Sequence, residues 1–152
     1  MQIGVISDTH GLLRPEAVAA LQGVDHILHA GDVGDAAILG ALRKLAPVTA
    51  IRGNIDRTGA CAQLPATEMV ELGSVVFYLL HDGKALDLDP VSAGIAVVVS
   101  GHSHKPAIVW RRKVLYLNPG SAGPRRFSLP VTVAMVTIEE RHIDPRIIPI
   151  LP

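Results

Sequence analysis

The sequence holds a single cysteine, Cys61, and only five aromatic residues among 152. One thiol excludes an internal disulfide and a thiolate cage for zinc, and so few rings supply no stacking platform for single-stranded nucleic acid. Net charge is missing too, since 14 Lys plus Arg stand against 14 Asp plus Glu. Without surplus positive charge the surface cannot hold a nucleic-acid backbone or an anionic membrane by charge alone, so neither is expected as a partner. No apolar run approaches the roughly 20 residues that span a bilayer. The apolar N-terminal run, Ile3 to Ile6, has no basic leader, and the chain reads as cytoplasmic.

What the chain does have is apolar content, 49% of its residues, enough to offset the entropy of ordering one core. Its length fits one domain, 1–152, and no repeat, linker or low-complexity segment divides it. Short β-branched runs bounded by Gly, Asp, Asn or Pro predict strands over Gln2 to Ile6, His26 to Ala30, Val48 to Arg52, Val75 to Leu80 and Ile95 to Ser100. Between the first three, Pro15 to Gln22 and Asp35 to Ala46 read as helices. Pro15 suits a first helical position, Asp35 can cap, and Ile38, Leu39, Leu42 and Leu45 mark one face.

Three hairpins follow: Glu68 to Leu72 with Val75 to Leu80 around Gly73-Ser74, Ala107 to Trp110 with Lys113 to Leu117, and Thr132 to Ile138 with Ile143 to Ile150. Pro145 and Pro149 confine the last strand to an edge. The expectation is a mixed α/β domain in layers, one sheet largely parallel and the other largely antiparallel.

Ligands of open α/β sheets collect beyond the carboxyl ends of strands. There the chain places SDTHG (7–11), GDVGD (31–35), GNID (53–56), HDG (81–83) and GHSHKP (101–106). Each segment contains Asp, Asn or His, residues that coordinate metals through oxygen or imidazole nitrogen. Asp8 and His10, like His102 and His104, stand two apart, so in extended backbone both donors of each pair point to one side. Asp8, His10, Asp32, Asn54, His81, His102 and His104 are too many for one metal and fit two metals that share a carboxylate.

The ordered series D-x-H, GD, GN, H and GHxH resembles the calcineurin-like metallophosphoesterase superfamily, and GHSHKP with NPGS (118–121) resembles its small single-domain phosphodiesterase branch. The resemblance implies a two-sheet mixed β-sandwich flanked by helices. It implies Asp8, His10 and His104 on a first metal, Asn54, His81 and His102 on a second, and Asp32 bridging. The cofactors would be two divalent ions, manganese first, with iron, zinc, nickel and cobalt as alternatives. The implied activity is hydrolysis of a small phosphodiester by a hydroxide held between the metals.

A formal count of +4 for the ions against −3 for Asp8, Asp32 and hydroxide leaves about +1 for an anionic substrate. Other readings on the same scaffold are a phosphomonoesterase, a nucleotide pyrophosphatase, and a binding scaffold such as the retromer subunit that this branch also resembles.

Two positions depart from the wider family. Ile55 stands where many members carry a His that assists the leaving group, so a preference for acidic leaving groups is expected, with Asp56 or Lys105 as substitute proton donor. Asp82 stands after His81 where Gly is common, and Gly83 is expected to take the unusual dihedral there. Lys105, Asn118 and Ser121 are expected to meet substrate, the last two from a loop near the metals. His26, His29 and His142 belong to no ligand set, with a supporting role open to His29 because it precedes Gly31-Asp32. Exposed apolar surface leaves room for a homo-oligomer.

Overall fold

The computed structural model describes all 152 residues. Ten strands form two five-stranded sheets. The first contains β1 (Gln2–Ile6), β2 (His26–His29), β3 (Val48–Ala50), β9 (Thr132–Glu139) and β10 (His142–Pro149), in the order β10-β9-β1-β2-β3. The second contains β4 (Thr67–Leu72), β5 (Val75–Leu80), β6 (Val97–Val99), β7 (Ala107–Arg111) and β8 (Val114–Asn118), in the order β4-β5-β6-β8-β7.

Side-chain alternation builds the layers. Ile3, Val5 and Leu28 of the first sheet meet Phe77, Leu79, Val97, Val99, Leu115 and Leu117 of the second in the inter-sheet core. The intervening residues face outward. Ile6, Ile27 and Val133 pack under two helices, α1 (Pro15–Ala20) and α2 (Ala36–Arg43), through Ala17, Leu21, Ile38, Leu39 and Leu42. On the other outer face Tyr78, Leu80, Ile95 and Val98 are covered by Leu86 and Leu88. Helices therefore flank the sandwich on one side, and a connecting segment closes the other.

The two expected helices are both present and shorter than their apolar patterns. Asp35 caps α2 by accepting the Ala37 N–H at 2.9 Å, and Pro15 opens α1. The expected division into one parallel and one antiparallel sheet is corrected: both are mixed. In the first, β1-β2-β3 are parallel while β9 lies antiparallel to β1, and in the second, β5-β6-β8 are parallel between antiparallel β4 and β7. The hairpins distribute between the sheets because β9 returns beside β1, a pairing set by packing across the whole chain rather than by local sequence.

The Gly73-Ser74 hairpin forms with Leu72 opposite Val75, and Gly73 takes φ +62° at the first turn position. The next hairpin turns one residue later than expected, at Arg112-Lys113, where both residues adopt positive φ and Arg111 pairs with Val114. Strand β10, with its two prolines, is an edge as expected. No helix is long and apolar enough to cross a membrane.

Candidate metal centre

The carboxyl ends of the parallel strands in the two sheets meet at one edge, and the loops leaving them carry the seven polar residues singled out in the sequence. Asp8, His10, Asp32, His102 and His104 all adopt positive φ, between 46° and 70°. Non-glycine residues enter this region seldom, so five of them in the loops of one site is a concentration of backbone strain. Side-chain atoms of Asp8, His10 and His104 lie close enough to share one ion, and so do those of Asp8, Asp32 and His81.

Each carboxylate is half committed. Asp8 Oδ2 accepts the Ser7 hydroxyl at 2.8 Å and the His102 N–H at 3.1 Å, while Oδ1 is buried without a hydrogen-bond partner. Asp32 Oδ1 accepts the Ile55 N–H at 3.0 Å. Its Oδ2 lies 3.4 Å from His10 Nε2 and 3.2 Å from His81 Nε2, between one imidazole of each expected set. Nε2 of His10 and Nε2 of His81 are likewise buried and unpartnered.

A buried carboxylate oxygen and two imidazole nitrogens turned toward one another without protein partners are costly unless an additional group satisfies them. Oxygen and imidazole donors are the set a borderline divalent ion takes, so the residues fit the metal that the sequence implies.

His81 is prepared for such a role, because its Nδ1–H donates to the Ala30 carbonyl at 2.7 Å and leaves Nε2 as the inward lone pair. The neighbouring Asp82 sits at φ −104° and caps a single helical turn, and Gly83 is not in the left-handed region either. The substitution of Asp for Gly therefore distorts nothing. Asn54 and His102 are the outermost of the seven and pair with each other, His102 Nδ1 lying 3.2 Å from Asn54 Oδ1. The His102 ring stands edge-on to His81 with centroids 5.2 Å apart, and the His10 and His104 rings approach equally closely.

The electrostatics follow from this crowding. Burial pushes the Asp8 carboxyl up, but His10, His81, Ser7 and His104 outweigh it and hold it below the ordinary value. Asp32 is lowered in the same way, burial opposing and His81 with the Ile55 N–H prevailing. Burial alone would lower His81, yet its contacts with Asp32, Ala30 and Asp8 raise it. His104 is lowered, with burial the largest cause.

Three expected site residues have other work. Asp56 is buried and accepts three backbone N–H groups, from Gly53 at 2.9 Å, Gly34 at 3.0 Å and Val33 at 3.1 Å. Its oxygens are occupied as acceptors, so it ties the β2 and β3 loops together and is not placed as a proton donor. Asn118 donates to the Gly101 carbonyl at 2.9 Å and the Ser103 hydroxyl at 3.1 Å while accepting the Gly120 N–H, which fixes the GHSH loop. Ser121 donates to the Asp8 carbonyl at 3.1 Å. Both side chains are engaged within the protein, where they brace the loops around Asp8 and the GHSH segment. Lys105 is exposed, and its backbone N–H bonds Ser103.

Sequence reasoning overlooked Ser7 and Thr9, which flank Asp8, and placed His29 only loosely. The signal for the first two was hydroxyls alternating with ligands in Ser7-Asp8-Thr9-His10. His26 bonds Thr49 across β2 and β3, and His142 is exposed at the last hairpin, so neither joins the site.

Residues 1–141 match the calcineurin-like phosphoesterase superfamily domain. The chain belongs to this superfamily. Its relatives include a probable metallophosphoesterase of Methanocaldococcus jannaschii, 37% identical over 99% of this chain and 82% of the relative. A second, from Methanothermobacter thermautotrophicus, is 38% identical over 97% of this chain and 92% of its own.

Among solved structures, a predicted phosphoesterase from Streptococcus pneumoniae shares 25% identity at TM-score 0.78, covering 98% of this chain and 89% of that one. A novel archaeal phosphodiesterase superposes with TM-score 0.79 at 24% identity, covering 97% of this chain and all of the other. Vps29 from Entamoeba histolytica, complexed with zinc, superposes at 0.76 and 21% identity, over 99% of this chain and all of that one. The two-sheet fold is thus a metallophosphoesterase fold, and the Asp/His clusters make this superfamily member a candidate for a dinuclear metal site.

Proposed function

We propose that the protein is a dinuclear metal-dependent phosphodiesterase acting on a small phosphodiester. The observation that carries this reading is the convergence of Asp8 Oδ1, His10 Nε2 and His81 Nε2, buried and unpartnered, around the free oxygen of Asp32. Asp8, His10 and His104 would hold one ion and Asn54, His81 and His102 the other, with Asp32 between them and manganese the first candidate. Two bound ions supply Lewis acidity toward phosphoryl oxygens and activate water as the nucleophile.

The chain's own residues do the rest. Ser7 and the His102 N–H hold the Asp8 carboxylate so that one oxygen faces inward, and Ala30 fixes the His81 tautomer. Beside Asn54 the position that would assist the leaving group is Ile55, which is exposed and carries no proton, and Asp56 is turned away into backbone. An alkoxide would depart without a proton, whereas an aryl oxide or similarly stable anion needs none. The superposition with an archaeal phosphodiesterase supports the same substrate class.

The test is metal analysis of the purified protein, followed by hydrolysis of bis(p-nitrophenyl) phosphate, p-nitrophenyl phosphate and an alkyl diester with manganese added. The expected result is bound metal, with the aryl diester turned over faster than the monoester and the alkyl diester. Metal and turnover should both be lost in His104→Ala. A protein without metal or turnover, indistinguishable from His104→Ala, would instead be a scaffold.

A further inference from the structure

A cleft of about 340 Å³ opens beside the candidate centre, and His81 and Gly53 line it. The same His81 faces Asp32 through Nε2, and Gly53 packs against the Asp32 carboxylate so tightly that a Cβ there would overlap it. A phosphoryl group held at the centre would therefore have one esterified arm at the mouth of this cleft. We propose that the cleft receives that arm and selects a neutral, hydroxyl-bearing ring, a sugar or nucleoside, over a group carrying a further phosphate. This rests on the diesterase reading.

Three features support the selection. The cleft is at the small end of the range for ligand pockets, roughly 300 to 1,000 Å³, which suits a ring system and not a polymer. Three of its polar side chains have free capacity: the Tyr78 hydroxyl makes no hydrogen bond within the protein, the Asp87 carboxylate makes neither hydrogen bond nor ion pair, and Asp82 uses only Oδ1, toward the Lys84 N–H. Carboxylates accept from sugar hydroxyls, and the Tyr78 hydroxyl can donate to one. The charge of the lining is also wrong for phosphate, with Asp82 and Asp87 against Arg52 alone, whose Nη1 is held by the Leu64 carbonyl at 2.7 Å. A second phosphate would meet a net negative wall beyond the reach of the metals.

The experiment compares esters with one leaving group: methyl p-nitrophenyl phosphate, thymidine 5′-(p-nitrophenyl phosphate), and the latter phosphorylated at its 3′ oxygen. In the manganese-loaded parent, kcat/KM for the thymidine ester should exceed that of the methyl ester by about tenfold or more, and the 3′-phosphate should remove that advantage. Ala85→Trp, which fills the cleft, should level the first two esters by slowing only the thymidine one. The double variant Asp82→Asn, Asp87→Asn should restore the 3′-phosphorylated ester, since Asn caps the turn at 82 as Asp does. A parent without preference, or equal losses for both esters in Ala85→Trp, would overturn the proposal.

Should no ester be cleaved, the diesterase reading falls separately, and titration of ¹⁵N-labelled protein with thymidine decides the cleft. Saturable shifts at Thr67, Tyr78 and Asp82 to Asp87 that vanish in Ala85→Trp support it, and their absence from the parent refutes it.

Discussion

His29 donates through Nε2 to the Thr9 hydroxyl at 3.1 Å, and that hydroxyl in turn donates to the Val33 carbonyl at 2.8 Å. The other ring nitrogen accepts the Gly31 N–H at 3.1 Å, so a fully buried imidazole, neutral and in one tautomer, links the loop of Asp8 and His10 to the loop of Asp32. A second proton on this ring would have no acceptor.

That arrangement makes folding sensitive to acid. Burial lowers His29 from 6.5 to about 4, the nearby carboxylates only partly opposing it. Because the folded value lies below the unfolded one, stability is complete above pH 6.5 and falls as the unfolded chain takes up a proton. The loss reaches about 3 kcal/mol by the folded value. Denaturant titrations of metal-free protein between pH 7 and 4 should show this slope, with His29→Gln less stable at neutral pH but flatter across the window. Parallel slopes for parent and variant would exclude His29 as the source.

Asp56→Asn should destabilise the fold by about 2 to 3 kcal/mol, because an amide cannot accept three N–H groups and presents a donor to at least one of them. If Asp56 is a clamp only, the pH dependence of kcat in the folded variant should match the parent. A missing alkaline limb would return it to catalysis.

Gly101→Ala tests how closely backbone must approach the candidate ligand Asp8. A Cβ there would overlap Ser7 Oγ and stand 2.6 Å from Asp8 Oδ2, pushing the carboxylate off its hydroxyl support. Calorimetric titration with manganese should show affinity weakened by about 10- to 100-fold, the size expected when the partner of a ligand is disturbed. Unchanged affinity would mean that the loop yields without moving Asp8.

Proton release on metal uptake should expose His81. Burial would lower its pKa, but Asp32, Ala30 and Asp8 raise it above 6.5 in the metal-free state, so near pH 6.5 the ring holds a proton that a metal must displace. Affinity should fall as pH drops through this range. Calorimetry in buffers of differing ionisation enthalpy should show about one proton fewer released by His81→Asn than by the parent. Equal release would show that the proton leaves another group.

The seven candidate ligands stand out in the sequence for a reason that the other polar residues do not share. Asp8, His10, Asp32, Asn54, His81, His102 and His104 each follow an apolar run closely, in short motifs that have few alternative readings together. Asp56, Asn118 and Ser121 lie in the same kinds of loop, and sequence does not distinguish a polar side chain aimed at solvent from one folded back on backbone. That choice depends on loop dihedrals and on carbonyls supplied by distant segments, such as Asp8 for Ser121.

The strands were legible for the same local reason, whereas the mixing of both sheets was not, because it depends on Thr137 finding Gln2 across the chain. The cleft was invisible, since Arg52, Tyr78 and Asp87 share no motif and meet only in the fold.

The positive φ of Asp8, His10, Asp32, His102 and His104 sets stability against function at the same five positions. Left-handed backbone costs an L-residue about 1 to 2 kcal/mol, a strain that glycine escapes. Glycine at His10, His102 or His104 would relieve that strain and remove a candidate metal donor in the same step, whereas at Asp8 or Asp32 it would also strand the groups that their carboxylates accept. The five side chains are therefore held in a conformation that packing alone does not reward, and the proposed metal centre is the place where that strain would be offset.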